Sequence, residues 1–237
     1  MFSNFDFSVI LNSWRYLFFD GMAFTLTLTA LAAVGGVVLG TLIAMMRLSG
    51  LPVLPQVAKA YVNFMRSLPL VLVIFWFYFL VPYIGQWIIG AERPIQVGAF
   101  SSSLITFTLF EAAYFSEIMR AGIQSIQKTQ LEAADCLGLA RLQAIVHVVL
   151  LPAMERVYPA LSSQFVLLML ASSVTSQISA EELTAVANNV QSDTYRSFEV
   201  YIIVAVVYLV LSGLYRLGFW LIGLGLFTRK RQLGTAL

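Results

Sequence analysis

The run of residues 22–46, MAFTLTLTALAAVGGVVLGTLIAMM, contains no charged side chain. A helix needs about 20 apolar residues to cross the hydrocarbon core of a bilayer. Four more stretches meet that requirement, so the predicted spans are residues 22–46, 57–82, 97–119, 157–180 and 200–228. The whole chain is 59% apolar and only 11% charged, whereas soluble domains are about 25% charged. We therefore expect a single all-α integral membrane domain with five transmembrane helices.

The distribution of basic residues predicts the orientation of these helices. Ten of the 14 Lys and Arg residues lie in the segments after the first, third and fifth spans, while the other faces carry most of the acidic residues. Cytoplasmic loops of membrane proteins are enriched in Lys and Arg. The N-terminus is therefore predicted outside and the C-terminal TRKRQLGTAL in the cytoplasm.

The segments between the predicted spans are short, which leaves no room for a soluble catalytic domain. The opening residues lack a basic region and a small-residue cleavage site, so no cleaved signal peptide is expected. The single cysteine, Cys136, excludes an internal disulfide and a cysteine-based metal cluster. The segment AVGGVVLG in the first span is typical of close helix packing.

The longest predicted cytoplasmic loop, residues 124–152, is polar and helical in pattern. Thr129 and Glu132 have the spacing of a capping box, and Gly138 is expected to end or bend the first short helix. A second amphipathic piece, ARLQAIVHVVLLP, is expected to stop at Pro152. Two short helices around a glycine would form a rigid knob able to fill a groove in a partner protein. The alternative is a helix lying on the membrane surface.

The sequence EAADCLG followed by VVLLP resembles the EAA loop of permease subunits in binding-protein-dependent ABC importers. In that family the loop docks on a cytoplasmic ATPase subunit and transmits ATP-driven movement to the membrane helices. The resemblance assigns the coupling role to five residues: Glu132, Ala133, Ala134, Gly138 and Arg141. One departure is visible, because Leu151 stands where the family usually has proline and Pro152 comes one residue later.

Two further stretches, NFMRSLPLVLVIFWFYFLVP and FEAAYFSEIMRAGIQSIQKTQ, resemble the polar amino acid class of these permeases, and the first is similar to its glutamate/aspartate branch. The resemblance implies a type I ABC importer permease fold in a bacterial inner membrane. It implies two ATP-binding subunits, a second permease subunit (identical or sister) and a periplasmic amino acid-binding protein as partners. The loop has no glycine-rich phosphate cradle, so ATP and Mg²⁺ are expected on the ATPase subunits and no cofactor here. Nucleic acid is not expected as a partner.

Polar residues inside the spans are candidates for a substrate path, because ionisable groups in hydrocarbon are costly. Glu111 has no basic partner on its own helix, and it either pairs with a substrate amino group or fixes helix packing. Arg66 and Ser67 precede Pro69, where an interrupted helix can expose N–H groups to a substrate carboxylate; an ordinary arginine at the cytoplasmic end is the alternative. The hydroxyls of Ser173 and Thr175 either line a polar path or join helices.

Two other ionisable residues have simpler interpretations. Glu117 lies three residues before Arg120, which is the spacing of a helical ion pair. His147 has no carboxylate or histidine at metal-ligand spacing, so we expect no metal site. The predicted function is therefore a transport subunit. The alternatives are an intramembrane enzyme that uses Glu111 and Glu117, and a stand-alone secondary carrier.

Overall fold

The computed structural model describes residues 6–227, and its regular structure there is entirely helical. The helices are α1 (Ser8–Leu48), α2 (Leu54–Arg66), α3 (Leu70–Ile89), α4 (Ala99–Gln124), α5 (Lys128–Cys136), α6 (Arg141–Ile178), α7 (Leu183–Thr194) and α8 (Ser197–Leu226). The predicted end of the last span at residue 228 and the segment TRKRQLGTAL lie outside the described residues.

Four of these helices, α1, α3, α6 and α8, are long and apolar enough to cross a membrane. Helix α4, which contains the predicted span 97–119, has 26 residues but a more polar sequence. Its position explains that polarity, because Phe107 and Phe115 of α4 are fully buried and the helix is surrounded by α1, α2, α3 and α6. A helix inside a bundle meets protein instead of lipid on most of its surface. The count of five spans and the orientation of the termini stay predictions.

Glycines allow α1 to pack closely against α4. A Cβ atom placed on Gly40 would lie 2.7 Å from Cβ of Phe115 and 2.9 Å from the carbonyl oxygen of Ala112. Because carbon atoms in contact prefer separations of about 3.5–4.0 Å, only glycine permits this backbone approach. The close packing predicted for AVGGVVLG is therefore present.

The second predicted span, residues 57–82, is not one continuous helix. It consists of α2 and α3, which are separated at residues 67–69. Pro69 cannot donate a backbone hydrogen bond, and its ring disfavours a helical conformation for the residue before it. The helix interruption considered at Pro69 is therefore present as a complete break, and Pro69 is the N-cap of α3.

The expected helix end at Pro152 is wrong, because α6 runs through this residue without interruption. The preceding turn, residues 144–150, is π-helical, and the N–H of Leu151 donates to the carbonyl of Val146 five residues back. The same arrangement precedes Pro82 in α3, where the N–H of Val81 donates to Trp76. A wider turn before each proline accommodates the missing N–H and the bulky ring.

Two stretches of helix lie outside the predicted spans. Helix α1 begins at Ser8, 14 residues before the predicted span, and its early turns pack against α7. Helix α7 lies in the segment that was expected to be a loop. Glu182 is its N-cap and accepts a hydrogen bond of 2.8 Å from the N–H of Ala185.

Candidate functional site

The predicted coupling loop forms a compact knob, defined here as residues 127–143. Helix α5 ends at Cys136 with Leu137 as its C-cap, and Gly138 follows with φ of +70°. The N–H of Leu139 donates to the carbonyl of Ala134 at 3.1 Å, and the N–H of Gly138 donates to that of Asp135 at 3.0 Å. This pair of bonds is a Schellman motif, which confirms that Gly138 ends the helix.

The predicted capping box at Thr129 and Glu132 is absent. Helix α5 starts two residues earlier than the box requires, with Gln127 as an N-cap that makes no side-chain hydrogen bond. A side-chain cap occurs at the next helix, where Oε1 of Gln143 accepts from the N–H of Ala140 at 3.1 Å. This hydrogen bond fixes the start of α6 next to the turn after Gly138 and so completes the knob.

Most of the knob surface is exposed in the isolated subunit. Of the five predicted coupling residues, Glu132, Ala133, Gly138 and Arg141 are exposed, and only Ala134 is buried. Leucines on the same surface are open as well, with 79% of Leu137 and 73% of Leu142 exposed. Helix α6 starts inside the knob, so the knob is a direct extension of a membrane helix. An ordered surface with both charge and leucine can seat a partner protein.

Glu117 lies at the centre of an arginine cluster near the ends of α1, α2 and α4. Its carboxylate contacts Arg47 at 2.7 Å, Arg120 at 2.7 Å and Arg66 at 3.5 Å. The predicted pair with Arg120 is therefore confirmed. The contact with Arg47 was not predicted, because 70 residues separate the partners in the chain.

A cleft of about 430 Å³ adjoins this cluster between α4 and α6, and we call it the α4–α6 cleft. Arg66, Glu117 and Arg156 contribute its charged groups, while Ile118 and Val157 are apolar lining residues. The side chain of Arg66 remains 43% exposed, and its Cζ lies 5.3 Å from the ring centre of Tyr114. The cleft therefore carries net positive charge.

Glu111 is buried in the helix bundle, with only 3% of its surface exposed. Nε2 of Gln164 in α6 donates to Oε2 of Glu111 at 2.8 Å. An interhelical hydrogen bond of this kind satisfies a buried carboxyl without an opposite charge. Sequence reasoning missed Gln164, which follows a pair of serines in α6 and has no local pattern that marks it.

The remaining candidates in the predicted substrate path bond to nearby backbone. Ser67 Oγ donates to the carbonyl of Asn63 at 2.7 Å and caps α2. Thr175 is fully buried and donates to Ser172, within a tight 3₁₀ turn at the end of α6. Ser173 donates to Leu170 at 2.8 Å.

A second cleft, of about 580 Å³, lies between α6, α7 and α8 and is called the α6–α8 cleft. Its hydroxyl groups come from Ser173, Thr184, Tyr201, Tyr208 and Ser212. Among the predicted substrate-path residues, Ser173 lines this cleft and Arg66 lines the α4–α6 cleft. Glu111, Ser67 and Thr175 line neither. The five candidates therefore do not share one cavity.

Glu182 lies behind the hydroxyl groups of Tyr208 and Thr184 in the α6–α8 cleft. It is fully buried, and its Oε2 accepts from the hydroxyl of Tyr208 at 2.8 Å. Thr184 Oγ1 lies 3.1 Å from the same hydroxyl. Burial raises the pKa of Glu182 above its ordinary value of 4.5, and hydrogen bonds from Thr184, Tyr208 and Ala185 oppose that shift.

Residues 36–219 match the model of a family described as the binding-protein-dependent transport system inner membrane component. The chain belongs to this family. It is therefore a multi-pass inner membrane transport component and not an enzyme, as the sequence predicted. The match includes both clefts and the entire knob, and it excludes the intramembrane enzyme and the stand-alone carrier as alternatives.

Individual members of this family are similar along most of their length. The glutamate/aspartate import permease protein GltK of Escherichia coli O6:H1 is 38% identical over 88% of this chain and 92% of its own. The probable glutamine ABC transporter permease protein GlnM of Bacillus subtilis is 36% identical over 83% of this chain and 87% of its own.

Solved structures have the same arrangement of helices. The crystal structure of an amino acid ABC transporter with histidines matches with a TM-score of 0.80 and 32% identity, over 92% of this chain and 97% of that one. An inward-facing conformation of the MetNI methionine ABC transporter matches with a TM-score of 0.69 at 19% identity, over 87% of this chain and 94% of that one. The second match concerns the fold alone. Together they confirm the type I ABC importer permease fold.

Proposed function

We propose that this chain is the permease subunit of an ATP-driven importer for polar amino acids, with glutamate and aspartate as its preferred substrates. The exposed knob carries this proposal, because its surface projects from α6 and most of it is left uncovered by the rest of residues 6–227. The similarity to a glutamate/aspartate permease supports acidic substrates. A similarity of almost the same size to a glutamine permease makes glutamine the competing substrate.

In this proposal two ATP-binding subunits supply the energy, one on the knob of each of two paired permease subunits. ATP and Mg²⁺ are bound by those subunits and not by this chain. Glu132, Ala133, Gly138 and Arg141 form the contact, with the charged pair at its rim and the small residues permitting close approach, while the buried Ala134 packs the knob beneath it. The second permease subunit is identical or a sister chain.

A periplasmic binding protein delivers the amino acid to the side of the membrane that carries α7. Closure of the ATPase subunits moves the knob and switches the access of the transport path from one side to the other. Arg66 and Ser173 face the two clefts along this path. Glu111, Ser67 and Thr175 support the path by holding the helices that border it.

Transport by the reconstituted complex tests this function. The permease, the ATPase subunits and the binding protein are combined in liposomes, and uptake of labelled glutamate, aspartate and glutamine is measured with and without internal ATP. We expect uptake that requires ATP and the binding protein, with glutamate and aspartate preferred. Uptake by the permease alone, without the ATPase subunits, would contradict the proposal.

Charge reversal on the knob tests the docking surface. Glu132→Lys is expected to reduce ATP-dependent uptake at least fivefold, because a rim charge that faces a partner becomes repulsive. Glu92→Lys is the matched control, since Glu92 is also exposed but lies in the loop between α3 and α4. Equal uptake by the two variants would place the ATPase contact elsewhere.

A further inference from the structure

Arg216 is a charged residue on one of the most apolar helices of the protein. Helix α8 has a mean hydropathy of 2.1 in its most apolar window, and Arg216 lies 10 residues before its end, which corresponds to about 15 Å. Its side chain is exposed, and within residues 6–227 no ion pair or hydrogen bond joins it to another group. All 12 acidic residues of the chain lie in that range. None of these acidic residues pairs with Arg216, so its guanidinium is available to a group from outside the subunit.

Helical geometry places Arg216 directly below the α6–α8 cleft. Ser212 precedes it by four residues and Ala205 by 11, so the three residues share one face of α8, within about 40° of each other. Ser212 and Ala205 both line the cleft. Side chains on a helix lean toward its N-terminus, and the guanidinium of Arg216 is therefore directed toward the turn that holds Ser212.

A charged side chain inside a membrane helix almost always faces protein or a water-filled cavity. The side of α8 that carries Arg216 also carries the hydroxyl-lined cleft, whose volume of about 580 Å³ is in the range of small-molecule sites. These two observations, the unpaired cation and a mainly apolar cleft that carries five hydroxyl groups on the same face, assign that face to the aqueous path and not to lipid.

The hydroxyl groups in the cleft offer acceptors. Tyr208 donates its proton to Glu182, Tyr201 donates to Asn188 at 2.8 Å, and Ser173 donates to a backbone carbonyl. Each oxygen is left with lone pairs directed to other partners. The outer part of the cleft therefore suits an ammonium group, and the end near Arg216 suits a carboxylate.

We propose that the α6–α8 cleft is a binding site for a dicarboxylic amino acid, in which Arg216 pairs with the side-chain carboxylate and the hydroxyl groups accept from the α-ammonium group. This assignment rests on the proposed function and names the residue that selects the substrate class. Arginine binds a carboxylate through two parallel hydrogen bonds, a geometry that neither lysine nor a neutral amide reproduces.

The test compares glutamate with glutamine, which differ at the group that Arg216 contacts. In the reconstituted complex, Arg216→Gln is expected to raise the KM for glutamate at least tenfold and to leave the KM for glutamine within about twofold. Arg216→Lys keeps the charge and loses the fork, so it is expected to raise the KM for glutamate by a smaller factor. If Arg216→Gln fails to assemble, the lysine variant alone must still show a larger effect on glutamate than on glutamine.

A matched control is Arg93→Gln, which removes an exposed arginine from the loop between α3 and α4 and is expected to change neither KM. Parallel changes for both amino acids at Arg216 would overturn the assignment, because a contact with lipid or with a second permease subunit would affect all substrates alike. Wild-type complex that takes up neither amino acid would instead refute the proposed function. Wild-type uptake of both with an unchanged ratio in Arg216→Gln would refute the cleft assignment alone.

Discussion

Gly138 provides a sharp test of the knob, because the effect of replacing it can be worked out from the structure. Its φ of +70° lies in the left-handed region, and a Cβ atom at this position would meet nothing within 4 Å. Gly138→Ala therefore introduces backbone strain and no steric clash. A left-handed conformation costs an L-residue about 1–2 kcal/mol. Strain of that size lowers the equilibrium constant for the native turn, relative to other conformations of the same residues, by about 5- to 30-fold.

The variant is expected to weaken binding of the ATPase subunits by up to this factor, because docking must restore the strained turn. Titration of the ATPase subunit onto the permease in lipid nanodiscs measures the affinity, and uptake in liposomes measures the consequence. Gly138→Asn should recover most of the affinity, since asparagine tolerates the left-handed region.

Gly90 offers a matched control within the same chain. It ends α3 with φ of +65°, and it too has no atoms near the position of a Cβ. Gly90→Ala should cause the same strain and lower the melting temperature similarly, with no change in ATPase binding. If Gly138→Ala binds the ATPase with wild-type affinity, or if both variants weaken it equally, the reasoning about the knob is refuted.

Three further predictions concern stability. Glu117→Gln removes the charge that neutralises Arg47, whose side chain is only 9% exposed, and should lower the free energy of unfolding by about 1–3 kcal/mol. An unchanged melting temperature in detergent would contradict this. Gly40→Ala should cost about 1–3 kcal/mol through overpacking against α4, whereas Gly218→Ala, which has open space, should be neutral or slightly stabilising by the same melting measurement. Because burial raises the pKa of Glu182, its contribution to stability is complete below pH 4.5 and is lost as the pH rises above that value. Glu182→Gln should therefore flatten the dependence of the melting temperature on pH above 4.5, and an unchanged dependence would refute the raised pKa of Glu182.

Features that depend on neighbours in the chain were predictable from the sequence. The apolar spans follow from composition, the end of α5 at Gly138 follows from the conformational freedom of glycine, and the pair between Glu117 and Arg120 follows from helical spacing. Each of these depends on at most a few turns of one helix. The knob was recognised for the same reason, because its motif is continuous in sequence.

Features that depend on distant contacts were not predictable. Arg47 lies 70 residues from Glu117 and Gln164 lies 53 residues from Glu111, and no periodicity relates such positions. The break at Pro69 and the continuity at Pro152 show the same limit for the backbone. Both residues are prolines in apolar surroundings, yet a π-helical turn precedes Pro152 and lets its helix continue, whereas Pro69 begins a new helix.

The continuity of α6 has a mechanical consequence. Its 38 residues extend about 57 Å, from Arg141 in the knob to the turn with Ser173 at the α6–α8 cleft. A helix transmits displacement along its axis well and bends most easily where a backbone hydrogen bond is missing, which in α6 is the case at Pro152 and at Pro159. A rigid movement of the knob is therefore transmitted beyond the α4–α6 cleft only to the extent that α6 does not bend at these two prolines. In the proposed function these prolines separate the part of α6 that follows the ATPase subunits from the part that borders the α6–α8 cleft, and we expect the angle between the two parts to change in the ATP-driven step.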